Sequence, residues 1–191
     1  MKIVFASTNQ GKIKEVRDIL YPYEVLSLTD IGFFDEIIED GNSFQENAMI
    51  KAKAVFAKCH LLTIADDSGL CVESLGGAPG IYSARYAHTH NDDDNNALLL
   101  ENLKGKENRN AKYVCALAAI YPNGREKVYL GELEGRIIDE YRGINGFGYD
   151  PLFYIDEYQK TTAEMTPDEK NKISHRGIAL RLFKKDLLNQ E

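Results

Sequence analysis

Short apolar runs alternate with amphipathic stretches along the first third of the chain. Residues 3–6 and 61–65 are apolar runs that predict two buried strands, and residues 25–28 predict a shorter one. Between them, apolar side chains recur at the spacing of a helix face, first at Ile13, Val16, Ile19 and Leu20, and then at Phe44, Ala48, Ala52, Val55, Phe56 and Cys59. The pattern therefore predicts helices that alternate with strands.

The rest of the chain adds a hairpin and further helices. Residues 112–121 and 126–138 predict strands, and the turn signal Pro122-Asn123-Gly124 between them predicts an antiparallel hairpin. Residues 91–103 predict a helix with an acidic first turn, residues 151–155 a short strand, and residues 174–189 a final helix with Ile178, Leu182 and Phe183 among its apolar positions. We therefore expect an α/β fold with a mixed, twisted central sheet flanked by helices.

Two segments carry the helix-start pattern called a capping box. Ser43 is followed three residues later by Glu46, and Thr166 by Glu169. Pro167 falls at the first helical position, where a missing N–H does no harm. Both segments predict where a helix begins.

Composition and charge narrow the class of protein. The chain has 191 residues, of which 43% are hydrophobic, so one domain over residues 1–191 can bury a core. A net charge of −7 argues against a nucleic-acid partner, whose phosphates need a basic face. Three cysteines without a CxxC pattern predict buried free thiols in a reducing cytoplasm, and no apolar run is long enough for a membrane helix.

The first candidate for chemistry joins the first strand to the first helix. The N–H groups at a helix start lack intrahelical partners, and the helix dipole is positive there. This segment is therefore a candidate phosphate cradle, although it is not a Walker A loop and could be an ordinary polar turn. It consists of Ser7, Thr8, Asn9, Gln10, Gly11 and Lys12.

A pair of acids follows the strand predicted at residues 61–65. We place Asp66 and Asp67 at the carboxyl end of that strand, where ligands of α/β sheets collect. Adjacent carboxylates repel each other unless a cation or donors lie nearby, and Mg²⁺ favours oxygen ligands. Glu39 could supply a further carboxylate. The alternative is a solvated loop or a helix cap.

Two further clusters lie toward the C-terminus. Lys170, Lys172, His175 and Arg176 are basic, and His175 and Arg176 fall in the first turn of the final helix, where positive charge opposes the helix dipole. An anionic ligand would remove that conflict; a solvated basic turn is the alternative. Phe147 lies between two glycines and could stack on a base, or it could be a core aromatic in a tight turn.

Four motifs in this order resemble the inosine triphosphate pyrophosphatase family. They are STNQGK, ADDSGL followed by GGAPGIYSARYA, GFGYDP, and EMTPDEKNKISHRG, and the resemblance runs from residue 2 to about residue 185. It implies hydrolysis of faulty purine nucleotides (ITP, dITP and XTP) to a monophosphate and pyrophosphate with Mg²⁺. It also implies a homodimer of elongated, two-lobed α/β chains with the site in the cleft.

The same resemblance assigns roles to individual residues. Glu39 and Asp67 would bind Mg²⁺, Asp67 would activate the water, Asp66 would support the site, and Lys51 would lie near the phosphates. Residues 7–12 would hold the triphosphate. The remaining substrate-binding residues would be Ser68, Phe147, Gly148, Tyr149, Asp150, Lys170, His175 and Arg176. Asn145 departs from the family pattern, which has a small residue there.

Two other functions remain open on the sequence. One is a Maf-type pyrophosphatase for modified pyrimidine nucleotides, which a substrate panel would distinguish. The other is a non-catalytic nucleotide sensor, against which the intact Glu39, Asp66 and Asp67 argue, because a sensor needs no water-activating carboxylate.

Overall fold

The computed structural model describes residues 1–189, in which seven strands form one sheet in the order β2-β1-β3-β4-β5-β6-β7. The strands are β1 (Lys2–Phe5), β2 (Glu24–Leu26), β3 (Thr63–Val72), β4 (Asn110–Ile120), β5 (Glu126–Ile137), β6 (Phe153–Ile155) and β7 (Lys160–Thr161). The helices are α1 (Gln10–Leu20), α2 (Phe44–Cys59), α3 (Asp92–Asn102), α4 (Pro167–Ile173) and α5 (His175–Leu188). Because β1 pairs in parallel with β2 and β3, whereas β6 pairs antiparallel with β5 and β7, the mixed sheet is confirmed.

The contacts of the chain divide it into two compact units. The first unit contains Met1–Asp67, Cys115–Gly131 and residues 176–189. The second unit contains Ser68–Val114 and Glu132–His175. Each has its own buried apolar core.

The core of the first unit lies on both faces of its strands. Ile3, Phe5 and Ile64 share one cluster with apolar residues of α1 and α5, including Val16 and Phe183. Side chains alternate along a strand, so the next residues face the other way. On that other face a second cluster packs against α2, with Val4, Ala6, Ala65, Ala48 and Ala52 among its members.

A cluster of buried apolar side chains fills the second unit. Leu70 and Val72 of β3 lie against Leu99 and Leu103 from the α3 region, and Phe153 of β6 joins the same cluster. The helix predicted at residues 91–103, with its acidic first turn, is therefore confirmed as α3, and these two leucines are buried.

Most predicted elements are present, with two differences in the strands. β3 is predicted to end at Ala65 but continues to Val72, so Asp66 and Asp67 lie within the strand and not at its end. The two-residue strand β7 is missed altogether, because Lys160–Thr161 is too short to show a pattern.

The helix ends follow the capping rules with one variation. At α4 both bonds of the capping box form between Thr166 and Glu169. At α2 Ser43 accepts from the Glu46 N–H, but the Glu46 carboxylate accepts from Asn42 and not from Ser43. The Glu46 carboxylate therefore binds the N–H of Asn42, one residue before the N-cap residue Ser43 that a capping box would use.

Some side chains differ from expectation. Leu182 is 47% exposed, because the buried face of α5 is formed by Ala179, Leu180, Phe183 and Leu187. The cysteines are free thiols, but only Cys115 is buried; Cys59, the last residue of α2, and Cys71 are half-buried, so the expectation of burial is wrong for these two. None of the helices in residues 1–189 is long and apolar enough to cross a membrane.

Candidate active site

The segment after β1 starts α1 with its own cap. The Asn9 side chain accepts from the Lys12 N–H at 3.0 Å, and the Ser7 hydroxyl accepts from the Asn9 N–H at 3.2 Å. Thr8, Asn9 and Gln10 are exposed, and Gly11 is half-buried. This polar segment therefore starts a helix at the end of a buried strand, the arrangement that favours anion binding.

Asp66 lies at the centre of a buried charge network. Its carboxylate accepts from Arg176 Nε and Nη2 at 3.1 and 3.0 Å, and from Lys12 Nζ at 3.1 Å. Arg176 Nη1 also donates to Glu15 on α1. Burial opposes the charge of Arg176, but Asp66 and Glu15 outweigh it and raise its pKa.

The network explains why α5 tolerates a cation in its first turn. Arg176 is 2% exposed, and the negative charge that balances it comes from the chain's own Asp66 and Glu15. The conflict with the helix dipole is resolved without a ligand. Direct contact between Arg176 and a substrate stays a prediction.

Asp67 faces α2, on the opposite side of β3 from Asp66. Asn47 Nδ2 donates to Asp67 Oδ2 at 3.2 Å, and Lys51 Nζ lies 3.8 Å from Asp67 Oδ1. Lys51 also donates to Glu39 at 2.7 Å. Successive strand residues point to opposite faces, so neighbouring acids acquire different partners.

Burial and nearby charges shift the pKa values of Asp67 and Lys51 in opposite directions. Burial raises the pKa of Asp67, and the nearby cations Lys51 and Lys12 only partly offset it. Burial lowers the pKa of Lys51, but Asp67, Asp66 and Glu39 outweigh burial and leave that pKa raised. Lys51 is therefore held as a cation, beside a carboxylate that binds protons more readily than an exposed one.

Glu39 and Asp67 can be tested for their fit to Mg²⁺. Within residues 1–189, no three His, Cys, Asp or Glu side chains are grouped closely enough to hold a metal ion. The Glu39 and Asp67 carboxylates do converge on one cation, the Lys51 ammonium. Mg²⁺ often takes one or two carboxylates and completes its shell with water and substrate phosphates, so this pair fits such a site.

In the second unit, Asp150 is the centre of another buried network. Lys170 Nζ donates to Asp150 Oδ2 at 2.7 Å, and the Phe147 N–H donates to the same oxygen at 2.9 Å. Thr162 and Tyr113 donate to Oδ1 at 2.8 and 3.3 Å. The Lys170 ammonium also lies 4.8 Å from the centre of the Phe147 ring.

The loop around Phe147 is fixed residue by residue. Asp92 accepts from the Gly148 N–H at 2.8 Å, and Asn96 donates to the Gly148 carbonyl at 3.0 Å. The Tyr149 hydroxyl donates to the Ser83 carbonyl at 2.7 Å. Phe147 itself is half-buried, so part of this residue is accessible to solvent.

Asn145 and His175 also have defined places in the second unit. Asn145 donates to the Ala163 carbonyl through its backbone and to the Met165 carbonyl through its side chain, both at 3.0 Å. Asn145 therefore anchors this loop to the segment that carries Ala163 and Met165. The His175 ring stacks on Tyr113, with ring centres 4.7 Å apart and planes at 14°.

The structure thus brings together most residues that the sequence singles out. Lys12, Asp66 and Arg176 meet in the first unit, as do Glu39, Lys51 and Asp67. Phe147, Asp150 and Lys170 meet in the second. Tyr149 instead directs its hydroxyl to Ser83. Ser68 is half-buried on β3 directly after Asp67.

Sequence reasoning missed several residues of these networks. They are Glu15, Asn47, Asp92, Asn96, Tyr113 and Thr162. Asn47 offered a signal, because it precedes Lys51 by one helical turn beside the buried stripe of α2. The others offered none, since their partners are distant in sequence.

Taken together, these features define a mixed α/β protein with clusters of buried acids and cations, which are typical of enzyme active sites. The particular family is set by comparison: the chain belongs to the Ham1 family, whose model matches residues 3–186. The resemblance to nucleotide pyrophosphatases is thereby confirmed.

The sequences of similar proteins match nearly the whole chain. A dITP/XTP pyrophosphatase of Bacillus subtilis is 50% identical over 187 residues, which cover 95% of this chain and 94% of that protein. One from Listeria monocytogenes is 46% identical, with coverage of 98% and 95%.

Solved structures agree as well. The Staphylococcus aureus Ham1 protein superposes with a TM-score of 0.91 at 40% identity, over 100% of both chains. A nucleoside-triphosphatase / dITP/XTP pyrophosphatase from Mycobacterium abscessus gives 0.77 at 43% identity, over 96% and 98%.

Proposed function

We propose that this protein hydrolyses faulty purine nucleoside triphosphates (ITP, dITP and XTP) to the monophosphate and pyrophosphate. One observation carries the proposal: Asp67 is a buried carboxylate that shares the Lys51 cation with Glu39. The Ham1 membership of the chain and its likeness to dITP/XTP pyrophosphatases support the reaction and the substrate class.

In this proposal Asp67 is the general base. It takes a proton from water as the water oxygen attacks the α-phosphorus, the bond from that phosphorus to its bridging oxygen breaks, and pyrophosphate leaves. Because burial raises the pKa of Asp67, its carboxylate is a stronger base than an exposed aspartate. Asn47 and Lys51 hold that carboxylate in place.

Cations and helix dipoles stabilise the leaving group. Lys12 and the N–H groups at the start of α1 would bind the departing pyrophosphate and offset its growing charge. Arg176 and Glu15 fix Asp66, which in turn holds Lys12. These residues would orient the triphosphate without taking part in proton transfer.

Glu39 and Asp67 would hold the Mg²⁺ that we propose as cofactor. When bound, the ion would offset triphosphate charge and lower the pKa of a coordinated water. The Glu39 and Asp67 carboxylates share the Lys51 cation, and carboxylate oxygens are ligands that Mg²⁺ prefers.

Phe147 is the residue that we propose for stacking on the base. Phe147 offers a ring face on a backbone fixed by Asp150 and α3, suited to stacking on a purine. A donor such as His175 or a backbone N–H would favour the C6 keto group of hypoxanthine or xanthine and would stay unpaired against adenine.

The test is pyrophosphate release across the common and faulty triphosphates, with Mg²⁺ and with excess EDTA. We expect ITP, dITP and XTP to exceed ATP in kcat/KM by at least tenfold, and EDTA to abolish the activity. Preference for pyrimidine nucleotides would instead indicate a Maf-type enzyme. Binding without turnover would indicate a sensor.

A further inference from the structure

Asn47 links two parts of the first unit that no sequence motif connects. It lies on α2 and is 1% exposed. Its Nδ2 donates to Asp67 at 3.2 Å, and its Oδ1 accepts from the Gly41 N–H at 2.9 Å. A single amide therefore joins the strand that carries Asp67 to the loop that carries Glu39.

The chemistry of the two partners fixes the orientation of this amide. A carboxylate can only accept and a backbone N–H can only donate, so Nδ2 must face Asp67 and Oδ1 must face Gly41. No other common side chain of this size offers one donor and one acceptor in these directions. Aspartate would keep the acceptor but lose the donor, and leucine would lose both.

The loop is pressed closely against this amide. A Cβ on residue 41 would lie 2.7 Å from Asn47 Oδ1 and 2.7 Å from Glu46 Cβ, so only glycine allows the approach. The next residue, Asn42, donates its N–H to the Glu46 carboxylate at 2.6 Å. The first turn of α2 thus holds two successive backbone amides, Gly41 and Asn42, of the loop that carries Glu39.

The same face of α2 makes a further contact to both acids. Lys51 follows Asn47 by one turn and contacts Glu39 and Asp67. Asn47 fixes the backbone two residues after Glu39 and the carboxylate of Asp67. Together they determine the separation of the two acids.

We propose that Asn47 is a positioning residue that sets the spacing of Glu39 and Asp67 and so prepares them to share one divalent cation. This inference rests on the proposed function for its metal, but the link itself is a property of the chain alone. Residues that orient metal ligands in this way typically affect metal affinity or activity 10- to 100-fold.

The experiment compares Asn47→Leu and Asn47→Asp with the wild type and with Gln45→Leu, an exposed amide of the same helix turn. Amide hydrogen exchange of Gly41, measured by NMR without metal, reports the loop contact. The Mg²⁺ concentration for half-maximal hydrolysis of ITP and the kcat report the site.

For Asn47→Leu we expect Gly41 to exchange at least tenfold faster, the half-activating Mg²⁺ concentration to rise about tenfold or more, and kcat to fall. For Asn47→Asp we expect Gly41 to stay protected while kcat falls at least tenfold, because the donor to Asp67 is gone. Gln45→Leu should match the wild type in all three.

The proposal is overturned if Gly41 stays protected in Asn47→Leu, or if the half-activating Mg²⁺ concentration of that variant stays within twofold of wild type. If Asn47→Leu does not fold, Asn47→Asp decides alone: wild-type kcat would overturn the proposal. A wild-type chain that hydrolyses no triphosphate would refute the proposed function, and the Gly41 exchange would still test the link.

Discussion

At the scale of single residues, Asp66 and Asp67 are neighbours with different surroundings. Asp66 accepts from Lys12 and Arg176 on one face of β3, whereas Asp67 has an amide and a more distant ammonium on the other. Burial raises the pKa of Asp67, because Lys51, Lys12 and Asn47 offset the cost of burying its charge only in part. Asp66 is thus suited to hold a network together, and Asp67 to take a proton.

This difference leads to a prediction for Asp67→Asn. Since the amide cannot accept a proton from water, kcat for ITP should fall by about 10²- to 10⁴-fold. Asp40→Asn, which changes an exposed acid next to Glu39, is the matched control and should stay within a factor of about two of wild type, because its side chain faces solvent. Full activity of folded Asp67→Asn would remove Asp67 as the base.

A second residue-scale prediction concerns the buried pair Lys170–Asp150, with side chains 7% and 3% exposed. Replacing Lys170 by Met leaves the Asp150 charge buried without its cation, which should lower the free energy of unfolding by about 3 kcal/mol. Urea unfolding measures the change. Lys14→Met, at an exposed position of α1, should change it by less than about 0.5 kcal/mol; equal losses in the two variants would contradict the assignment.

At the scale of elements, the first turn of α3 is hydrogen-bonded to the loop that contains Phe147. Asp92 and Asp93 both lie in its acidic first turn; Asp92 accepts a hydrogen bond from the Gly148 N–H, whereas Asp93 is an exposed neighbour. Asp92→Ala and Asp93→Ala should each weaken the helix by about 0.3–1 kcal/mol.

The two variants should differ in catalysis. Asp92→Ala should raise the KM for ITP several-fold, because the Phe147 loop loses an anchor, and Asp93→Ala should leave it unchanged. Steady-state kinetics decides, with thermal unfolding as the check on the helix. An unchanged KM in Asp92→Ala would mean that Asn96 and Asp150 hold the loop alone.

A second element-scale prediction concerns the link between α5 and the β4–β5 hairpin. Hydrogen bonds from Tyr129, Lys127 and Tyr121 lower the pKa of Asp186 to about 2, although burial opposes this shift. A carboxylate whose pKa is depressed by folding stabilises the protein above its unfolded pKa, and this contribution is lost as pH falls through the folded pKa.

The measurement is the difference in free energy of unfolding between wild type and Asp186→Asn. That difference should be constant above about pH 5 and should shrink as pH falls toward about 2. Urea titrations across this range test it. A difference that is independent of pH would show that packing, and not charge, accounts for the loss.

Sequence patterns recover local features better than distant ones. The helix faces of α1 and α2, the turn at 122–124 and the cap at Thr166 depend on neighbours in sequence, and all are confirmed. The predicted end of β3 is wrong because the segment that follows it, Asp66-Asp67-Ser68-Gly69, has the composition of a turn. Arg176 and Lys12, which lie 110 and 54 residues away in the chain, pair with Asp66 and let it stay inside a buried strand.

The same reason separates the parts of the site that were predicted from those that were not. The motif residues could be named from the sequence, but Glu15 and Thr162 could not, since each contacts a partner that folding brings from elsewhere. Nothing in the sequence pairs Asn47 with Gly41 either. Their roles appear only with the tertiary contacts.

At the scale of the whole molecule, the homodimer stays a prediction. Sedimentation equilibrium at micromolar concentrations should give twice the mass of one chain. With a net charge of −7 the same protein should also show no salt-dependent affinity for duplex DNA. A monomeric mass would contradict the first expectation, and steep salt dependence the second.

The alternation of Asp66 and Asp67 across β3 also restricts how the chain can change in length. One residue inserted after Ala65 would turn every later side chain of the strand to the opposite face, so that Asp66 would take the place of Asp67 and Asp67 that of Ser68. Loops at the surface absorb such insertions readily. Lineages descended from this sequence should therefore vary in length at the 122–124 turn while keeping the spacing between Ile64 and Leu70 fixed.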